Sequence, residues 1–533
     1  MSKKVIKVLC LVAVFSIIGS MFAGCQKKDE KGDSTDSQPK GPKTTLTVEV
    51  FDRGASGQPS LNDNFWTKYI NSSFGEKYNA NVQFAPVPRT QEVSKLNVLM
   101  AANEAPDVCI SYDVGLVNNY VTQGGLTQLD DILTKDGKNL SKYLGDDVLK
   151  YGKFGGKQFV IPAKRTLRMT TNLFMRKDWL DKLGLPIPTT RDEFYNDLVA
   201  FRDKNPGGVN GVIPMGYSIG TGSNISVHNL PESFYKKASE QDIAATTFTL
   251  TAEMEWKRDG YKDFTKFMNK LYHENLISKD FAVDKTASQL NADLSNGKVG
   301  AVAANWDYIY RPTPGIYTNL KKNVPGAELV PVDAFKNSEG KYAKKNYPPS
   351  GAYIMIPKSS KNASLAMKYL DWMSDTKVIM YLQNGEEGTD YTLSDSIPSP
   401  KSPSTLTGDK FLSTSYNGDY CIIVNGPELG DETKNTKAIS AAYPEFKKDV
   451  DQAQKIGLQD GYTGFYFSIP NQAYGKYSQT LVEKSLLMKA KLYTCDSSQF
   501  DAIYDSQVAE YMAAGGQAVY DENVKNYKTQ TGK

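Results

Sequence analysis

Residues 44–52, Thr-Thr-Leu-Thr-Val-Glu-Val-Phe-Asp, decide the fold class, because their alternating apolar and polar side chains predict a β-strand. The turn-forming stretch Asp52-Arg53-Gly54 ends that strand. Aromatic and aliphatic residues then recur at helical spacing over residues 65–74, and a second strand is predicted over residues 81–84. A strand, a helix and a second strand in this order favour an α/β fold.

Downstream of this unit the sequence predicts a further strand and a departure from the first lobe. A helix ends before Pro106, and the strand at residues 107–111 delivers Tyr112 and Asp113 to its carboxyl end, where open α/β sheets bind ligands. The extended segment 156–162 contains a proline that limits helix formation, and we interpret it as a crossing between lobes. Two α/β lobes are therefore expected.

Charge and composition exclude several classes of protein. The chain has 533 residues, with 63 Lys and Arg against 60 Asp and Glu. Three of the lysines lie within residues 1–24, which contain no acidic residue, so the rest of the chain is balanced and gives no basic footprint for nucleic acid. The two histidines, His228 and His273, leave few candidates for imidazole catalysis or a histidine-rich metal centre. We predict no cofactor and no metal site.

Residues 1–24 are predicted to be a lipoprotein signal peptide. Lysines precede the uncharged stretch 8–24, which is shorter than the roughly 20 apolar residues of a membrane-spanning helix. Phe22-Ala23-Gly24-Cys25 resembles a bacterial lipobox, in which the cysteine thiol receives a diacylglycerol; an ordinary signal peptide is the alternative. The rest of the segment 25–43 lacks aliphatic and aromatic side chains, so we expect a disordered tether to the outer face of the cell membrane.

The remaining cysteines do not form a disulfide framework. Three cysteines remain after residue 25, namely Cys109, Cys421 and Cys495, so at most one disulfide could form. Cys109 lies in a strand-like context that suggests a small buried side chain. Whether Cys421 pairs with Cys495 is left open by the sequence.

Four blocks of sequence carry a resemblance to a known family. They occur in the order Arg176-Lys-Asp-Trp-Leu-Asp-Lys-Leu-Gly-Leu-Pro-Ile-Pro-Thr-Thr190, Asn296-Gly-Lys-Val-Gly-Ala-Val-Ala-Ala-Asn-Trp306, Gly351-Ala-Tyr-Ile-Met-Ile-Pro357 and Asn384-Gly-Glu-Glu-Gly-Thr-Asp-Tyr391. With the strands described above, they resemble the extracellular solute-binding lipoproteins of carbohydrate ABC importers, close to the LplA/LipO-like group. The last hundred residues match only loosely.

The resemblance implies a periplasmic-binding-protein-like fold of type II. The first lobe is expected at residues 44–160 plus about 350–395, and the second at about 163–345 plus about 400–533. An oligosaccharide would bind in the cleft between the lobes of a monomer, and the closed form would dock on the permease subunits of an ABC transporter. A lipid-anchored glycoside hydrolase, a peptide receptor and a sensor that signals across the membrane are the alternatives.

The candidate ligand-binding residues are aromatic rings that pack on sugar faces and polar groups that bind hydroxyls. The resemblance places Trp306 as a stacking platform with Asp307 as a hydroxyl acceptor, and it carries over Glu387 and Tyr391 from the fourth block. Further candidates are chosen by their position at strand ends, in the first helix or after the crossing between lobes. They are Asp52, Arg53, Trp66, Tyr112, Asp113, Arg165 and Arg168.

Each candidate also has a purely structural explanation. The tryptophans Trp66 and Trp306 would serve as core residues, and Asp113 would cap a helix. Surface ion pairs would explain the arginines, and a tight glycine turn would explain the fourth block. Asp203 lies in a poor version of a calcium loop, since Gly207 replaces a third oxygen ligand, so calcium binding there is doubtful.

The lipobox yields a direct prediction. Replacing Cys25 by alanine removes the thiol that would carry the diacylglycerol, so we expect the Cys25→Ala protein to leave the membrane fraction and appear in the medium or as unprocessed precursor. Cell fractionation followed by immunoblotting measures this distribution. Unchanged membrane retention of the variant would contradict lipidation at this residue.

Overall fold

A computed structural model describes residues 41–54, 60–220, 224–227, 229–247, 254–312, 314–401 and 418–533. The signal segment, Cys25, most of the tether and His228 lie outside these ranges. The folded unit runs from Pro42 to Lys533. Within the described ranges, no helix combines the length and the apolar character that a membrane span requires.

The β-strands are short and spread over the whole unit. In chain order they are β1 (Thr44–Asp52), β2 (Ala80–Pro88), β3 (Cys109–Ser111), β4 (Lys153–Phe154), β5 (Lys157–Gln158), β6 (Val160–Arg165), β7 (Thr171–Arg176), β8 (Ile213–Gly216), β9 (Val299–Asn305), β10 (Leu329–Val332), β11 (Lys344–Lys345), β12 (Ser350–Met355), β13 (Tyr391–Ser394), β14 (Ile397–Pro400), β15 (Val424–Asn425) and β16 (Gly461–Tyr462).

The α-helices connect and cover these strands. In chain order they are α1 (Phe65–Ile70), α2 (Glu76–Tyr78), α3 (Glu92–Ala102), α4 (Val114–Thr122), α5 (Asp130–Asp136), α6 (Lys138–Leu149), α7 (Lys177–Leu183), α8 (Arg191–Lys204), α9 (Glu240–Thr246), α10 (Tyr261–His273), α11 (Ser288–Ser295), α12 (Ile316–Asn323), α13 (Ala363–Met373), α14 (Thr376–Asn384), α15 (Glu432–Ala441), α16 (Lys447–Leu458), α17 (Gln472–Thr494), α18 (Phe500–Tyr511) and α19 (Gln517–Thr531).

The first lobe is built on a mixed sheet that begins with the predicted β-α-β unit. Strands β1 and β2 pair in parallel, and Val48 of β1 also pairs in parallel with Val108, directly before β3. Strand β12 runs antiparallel to β3 and to β6, and β15 runs parallel to β6. The resulting order is β2-β1-β3-β12-β6-β15, in which β12 is reversed relative to the others.

The second lobe repeats this design. Its sheet has the order β10-β7-β9-β8, with β8 and β9 parallel and β7 antiparallel to both β9 and β10. Ile277 extends the sheet by a parallel bridge to Met215. In each sheet the reversed strand is the one by which the chain enters from the other lobe, β7 on the way out and β12 on the return. Helices pack against both sheets, and the predicted two-lobed α/β fold is confirmed.

Local sequence signals set the end of helix α7 and the beginning of helix α8. Helix α7 ends at Gly184, whose φ of 67° suits glycine. Helix α8 begins at a capping box, in which the Thr190 side chain accepts a hydrogen bond from the Glu193 backbone N–H at 3.2 Å. The Glu193 carboxylate in turn accepts from the Thr190 backbone N–H at 3.2 Å. These two signals were visible in the sequence alone.

One lobe boundary differs from the sequence prediction. The prediction assigned the chain after about residue 400 to the second lobe, but residues 420–424 are buried in the first-lobe core and β15 pairs with β6. The apolar run Tyr-Cys-Ile-Ile-Val at this point buries more surface inside the first sheet than a surface connection would. The chain returns to the second lobe only at α15 and α16, whose apolar residues join a second-lobe core.

The cysteines of the folded unit are free thiols. Cys109 and Cys421 are buried in the first lobe, and Cys495 is half-buried at the end of α17. Cys421 and Cys495 therefore do not form a disulfide bridge with each other. Burial raises the pKa of the Cys109 thiol well above its usual value, which keeps it protonated.

A carboxyl group is buried in the first sheet, on β1. Glu49 of β1 is 0% exposed, and its Oε2 accepts a hydrogen bond from the Ile110 backbone N–H at 2.8 Å. Its Oε1 has no hydrogen-bond partner among the described residues. Burial raises the pKa of Glu49 to about 8, an effect that the Ile110 hydrogen bond only partly opposes. The folded protein therefore holds Glu49 mostly neutral at pH 7.

This buried carboxyl predicts a pH-dependent stability. Its pKa is raised on folding from 4.5 to about 8, so its stabilising effect is complete below pH 4.5 and is lost as the pH rises toward 8. Glu49→Gln keeps the acceptor for Ile110 and stays neutral. Between pH 5 and pH 8 we expect the wild type to lose on the order of 3 kcal/mol of unfolding free energy relative to the variant. Urea unfolding at both pH values measures this difference, and parallel pH profiles would contradict it.

Candidate functional site

The parallel strands of the first sheet bring several polar residues to one edge. Strands β1, β3, β6 and β15 run in the same direction, so their last residues, Asp52, Ser111, Arg165 and Asn425, lie along the same carboxyl edge. Ligands in open α/β sheets bind beyond this edge. The loops that follow the strands are therefore the first place to look for a binding site.

A small pocket opens at this edge. Strand-end residues and the segment before β15 form its wall. It is lined by Phe51, Ile110, Tyr112, Ala163, Ala352, Gly418, Asp419, Ile422, Val424 and Asn425. An apolar floor with a few polar groups at the rim is the usual composition of a small-molecule site.

Tyr112 is the exposed aromatic ring of this pocket. Its side chain is 41% exposed, and its ring stacks on Phe51 with centroids 6.3 Å apart. The Arg89 guanidinium lies over both rings, 5.1 Å from the centroid of Tyr112 and 4.8 Å from that of Phe51. Asn425 Nδ2 donates a hydrogen bond to the Tyr112 hydroxyl at 2.9 Å. These contacts hold the ring in one orientation and leave much of it open to solvent.

Arg53 is committed to an ion pair at the pocket rim. Its Nε and Nη2 donate to the two carboxylate oxygens of Asp419, each at 2.7 Å. Burial raises the pKa of Asp419, and the Arg53 charge opposes that rise. The neighbouring Asp52 accepts a hydrogen bond from the Gly54 backbone N–H at 2.9 Å. The structure thus connects Arg53 to the pocket through Asp419, a carboxylate 366 positions away in sequence, and leaves Asp52 in the turn after β1.

Arg165 and Arg168 lie on the connection from β6 to β7. The Arg165 guanidinium stacks 4.0 Å from the Tyr347 ring centroid, and its Nε donates to the Ser350 carbonyl at 3.1 Å. Arg168 Nε donates to the Tyr347 carbonyl at 3.1 Å, and the Arg168 carbonyl accepts from the Tyr347 backbone N–H at 2.8 Å. Both arginines are thereby fixed to the returning connection between β11 and β12.

More tyrosines surround these two arginines. Burial raises the pKa of Tyr353 to about 12, and the nearby Arg165 charge opposes the rise. Burial also raises the pKa of Tyr151, which Arg168 opposes, and the Tyr151 ring lies 4.6 Å from that of Tyr466. We call Arg165 and Arg168, together with Tyr112, Tyr151, Tyr347, Tyr353 and Tyr466, the tyrosine–arginine surface.

The second sheet presents a matching edge. Strands β8, β9 and β10 end on the side where β7 begins. A small pocket lies there, lined by Thr171, Asn172, Leu173, Asn229, Leu230, Ala303, Val332, Ala334 and Lys344. Five residues separate the carboxyl end of β6 from the amino end of β7, which limits the distance between these strand ends to about 20 Å. The two carboxyl edges are therefore neighbours across the connection.

Trp306 and Asp307 follow β9 at this second edge, but both are engaged in packing. Trp306 is 5% exposed within a second-lobe core and offers almost no ring face to a ligand. Asp307 accepts hydrogen bonds from Arg311 Nη2 at 2.6 Å and Nε at 3.0 Å, and from the Tyr443 hydroxyl at 2.9 Å. The prediction of a stacking platform is not supported for Trp306, whereas core packing, the alternative, is.

Three other candidates lie away from the pockets. Trp66 is 1% exposed, stacks on Tyr420 with centroids 5.0 Å apart and is a core residue. Glu387 and Tyr391 flank a tight turn in which the Gly388 backbone N–H donates to the Tyr391 carbonyl at 2.8 Å. Tyr391 is buried and Glu387 points to solvent. The fourth block therefore encodes a turn, as the alternative interpretation held.

Asp113 and Asp203 have structural roles. Asp113 caps α4, because its Oδ1 accepts from the backbone N–H groups of Gly115 at 2.7 Å and Leu116 at 3.1 Å. Asp203, at the doubtful calcium loop, accepts from Arg202 Nε at 2.7 Å and Nη2 at 3.1 Å. The guanidinium supplies the positive charge beside this carboxylate. Within the described ranges no cluster of three or more His, Cys, Asp or Glu side chains is arranged to hold a metal ion.

Sequence reasoning missed several residues of the site. Arg89 and Asn425 fix Tyr112, Asp419 neutralises Arg53, and Tyr347 anchors both arginines of the connection. Arg89 directly follows β2, so its position at a strand end could have marked it as a candidate, as it did for Asp52. The other three come from distant parts of the chain, and their partners are defined only by the folded structure.

With this geometry established, comparisons with known proteins identify the family. A family model described as bacterial extracellular solute-binding protein matches residues 55–380. The chain belongs to this family. The predicted resemblance is confirmed, and this solute-binding protein is accordingly a member of an extracellular family.

Individual relatives agree with that assignment. Lipoprotein LipO of Bacillus subtilis is 30% identical over 338 residues, which cover 60% of this chain and 64% of LipO. The polygalacturonan/rhamnogalacturonan-binding protein YtcQ of the same organism is 22% identical over 407 residues, 72% of this chain and 74% of YtcQ. Streptococcus pneumoniae FusA in complex with kestose superposes with a TM-score of 0.66 at 15% identity, covering 92% of this chain and 100% of FusA. This solute-binding protein thus shares its fold with FusA.

Proposed function

We propose that this solute-binding protein is a lipid-anchored extracellular receptor that binds an oligosaccharide between its lobes and delivers it to the permease of an ABC transporter. Two relatives support the ligand class, because their names specify polygalacturonan and rhamnogalacturonan in one case and fructooligosaccharides in the other. The lipobox at Cys25 and the name of LipO support the lipid anchor. We assign the protein no catalytic activity of its own.

The observation that carries the proposal is the tyrosine–arginine surface beside the first-sheet pocket. Sugar rings present apolar C–H faces that pack on aromatic rings, and their hydroxyls bind to polar side chains around the ring. Tyr112 supplies an open, oriented ring, and Asn425 and Arg165 supply donors beside it. The number of tyrosines around the connection suits a chain of several sugar residues rather than one.

The two-edged geometry supports the proposed delivery to a permease. A ligand that contacts both carboxyl edges favours the conformation in which they are closest, and it does so only by its higher affinity for that conformation. The five-residue connection between β6 and β7 permits such closure without separating the edges. A membrane partner could then distinguish the closed, ligand-bound conformation from the open one.

A glycoside hydrolase is disfavoured by how the carboxylates of the first edge are used. Glycoside hydrolysis uses two carboxyl groups that face each other across the scissile bond. Asp419 instead forms an ion pair with the Arg53 guanidinium, and Asp113 caps α4, so these two residues do not form such a pair. A screen of oligosaccharides by thermal shift, followed by chromatography for cleavage products, separates the two functions. Binding without products supports the receptor, and products would support the hydrolase.

Tyr112 gives the sharpest mutational test. Tyr112→Ala removes the exposed ring, so we expect more than tenfold weaker oligosaccharide binding, which corresponds to about 1.4 kcal/mol. Because the ring is 41% exposed, the unfolding free energy should change by less than about 1 kcal/mol. Isothermal titration calorimetry and urea unfolding measure the two quantities.

The matched control is Tyr78→Ala at the opposite, amino edge of the first sheet. Tyr78 ends α2, two residues before β2 begins, and it packs on Phe74 with centroids 4.7 Å apart. Its removal should leave ligand affinity unchanged. Equal loss of affinity in both variants, or none in Tyr112→Ala, would contradict a binding site at the carboxyl edge.

A further inference from the structure

The arginines of this protein divide into two groups by their partners. All nine are in the described part of the chain, and six of them form ion pairs with carboxylate side chains: Arg53, Arg89, Arg176, Arg202, Arg258 and Arg311. Among the described residues, the three without a carboxylate partner are Arg165, Arg168 and Arg191. Two of these three lie together on the connection between the lobes.

Arg165 and Arg168 are held by neutral groups. Each donates its Nε to a backbone carbonyl, of Ser350 and Tyr347 respectively, and both contact Tyr347. Carbonyl oxygens and an aromatic face orient a guanidinium but do not neutralise its charge. The Nη groups, which form the fork that pairs with carboxylates, are not used in these hydrogen bonds.

Burial makes the charge of Arg165 costly without a counter-ion. Burial lowers the pKa of Arg165, and the nearby tyrosines only partly oppose this effect. A buried cation is stabilised when an anion with good hydrogen-bond geometry approaches, since the attraction is strong where water is excluded. A carboxylate on the ligand would supply that anion at the moment of binding.

The acidic side chains near the pocket do not prevent this. Asp419 is neutralised by Arg53. Asp52 ends β1, which is separated from β6 by β3 and β12, or about 14 Å at the usual strand spacing. That separation exceeds the screening length of about 8 Å at physiological salt. Asp113, after β3, accepts hydrogen bonds from the first turn of α4, so neither Asp52 nor Asp113 forms an ion pair with Arg165.

We infer that the oligosaccharide bound by this protein carries carboxylates, as uronic acids do, and that Arg165 and Arg168 bind a carboxylate of the ligand at the base of the cleft. This inference rests on the proposed function, since it specifies the charge of the ligand of the same site. The two arginines are the specificity-determining residues, and the tyrosines of the tyrosine–arginine surface pack on the neighbouring sugar rings.

The test compares ligands that differ only in charge. Trigalacturonate to hexagalacturonate are titrated calorimetrically into the mature protein, residues 25–533, beside the same oligomers as methyl esters and beside neutral maltotriose and kestose. The wild type should bind an acidic oligomer at least tenfold more tightly than its ester. The preference should fall as salt is raised, because exposed parts of the ion pair are screened. Alginate oligomers test whether a different uronic acid is preferred.

Variants then assign the preference to the two arginines. The double variant R165Q/R168Q should bind acid and ester with equal affinity, and Arg165→Lys should lose part of the preference because it keeps the charge without the fork. Arg191→Gln is the matched control, since Arg191 also lacks a carboxylate partner but stacks on Phe234 in the second lobe, 4.4 Å from the ring centroid. Melting temperatures establish that each variant is folded.

The outcomes separate the inference from the proposed function. Binding of neutral oligosaccharides with no gain for the acids overturns the charge inference and leaves the receptor intact. An acid preference that survives in R165Q/R168Q overturns the assignment to these arginines. If no acidic or neutral oligosaccharide binds, the proposed function itself fails. Should the double variant not fold, the comparison of acid and ester on the wild type, with its salt dependence, still decides whether the ligand is charged.

Discussion

The five-residue connection Thr166–Thr170 is the constraint on which the binding site depends. It leaves the first sheet at the carboxyl end of β6 and enters the second at the amino end of β7, which is the reversed strand of that sheet. Because β7 is reversed, its amino end lies beside the carboxyl ends of its neighbours. A short connection therefore sets two carboxyl edges against each other. Hydrogen bonds from Thr166 to the Asn425 carbonyl at 3.0 Å and from Thr170 to the Lys345 carbonyl at 2.8 Å fix its two ends.

Charge is handled differently in the framework and at the site. In the framework, six arginines are paired with carboxylates, and Glu49 is kept neutral by burial in the first sheet. On the connection, Arg165 and Arg168 are oriented by carbonyl groups and by the Tyr347 ring. Two arginines that are oriented beside a pocket without a carboxylate partner are arranged for an anion from outside. The segment that connects the two lobes thus also carries the residues proposed to bind the ligand.

The sequence predicted the architecture better than the site. Alternating strands, the capping box at Thr190 and the ordered blocks depend on local patterns, and these patterns survive in the structure. Tryptophans were the main error, since Trp66 and Trp306 are as useful to a core as to a sugar, and sequence does not show which side of an element is covered. The partners of Arg53 and Tyr112 come from residues 419 and 425, so no local pattern indicates them.

Small-angle X-ray scattering of the folded unit, with and without an oligosaccharide that binds, tests the central claim most directly. If the ligand joins the two carboxyl edges, it stabilises the conformation in which they are closest, and the radius of gyration should decrease at saturating ligand. The decrease should be absent in Tyr112→Ala at the same ligand concentration and should return when the concentration is raised to saturation. An unchanged radius of gyration at confirmed saturation would contradict a site shared by both lobes.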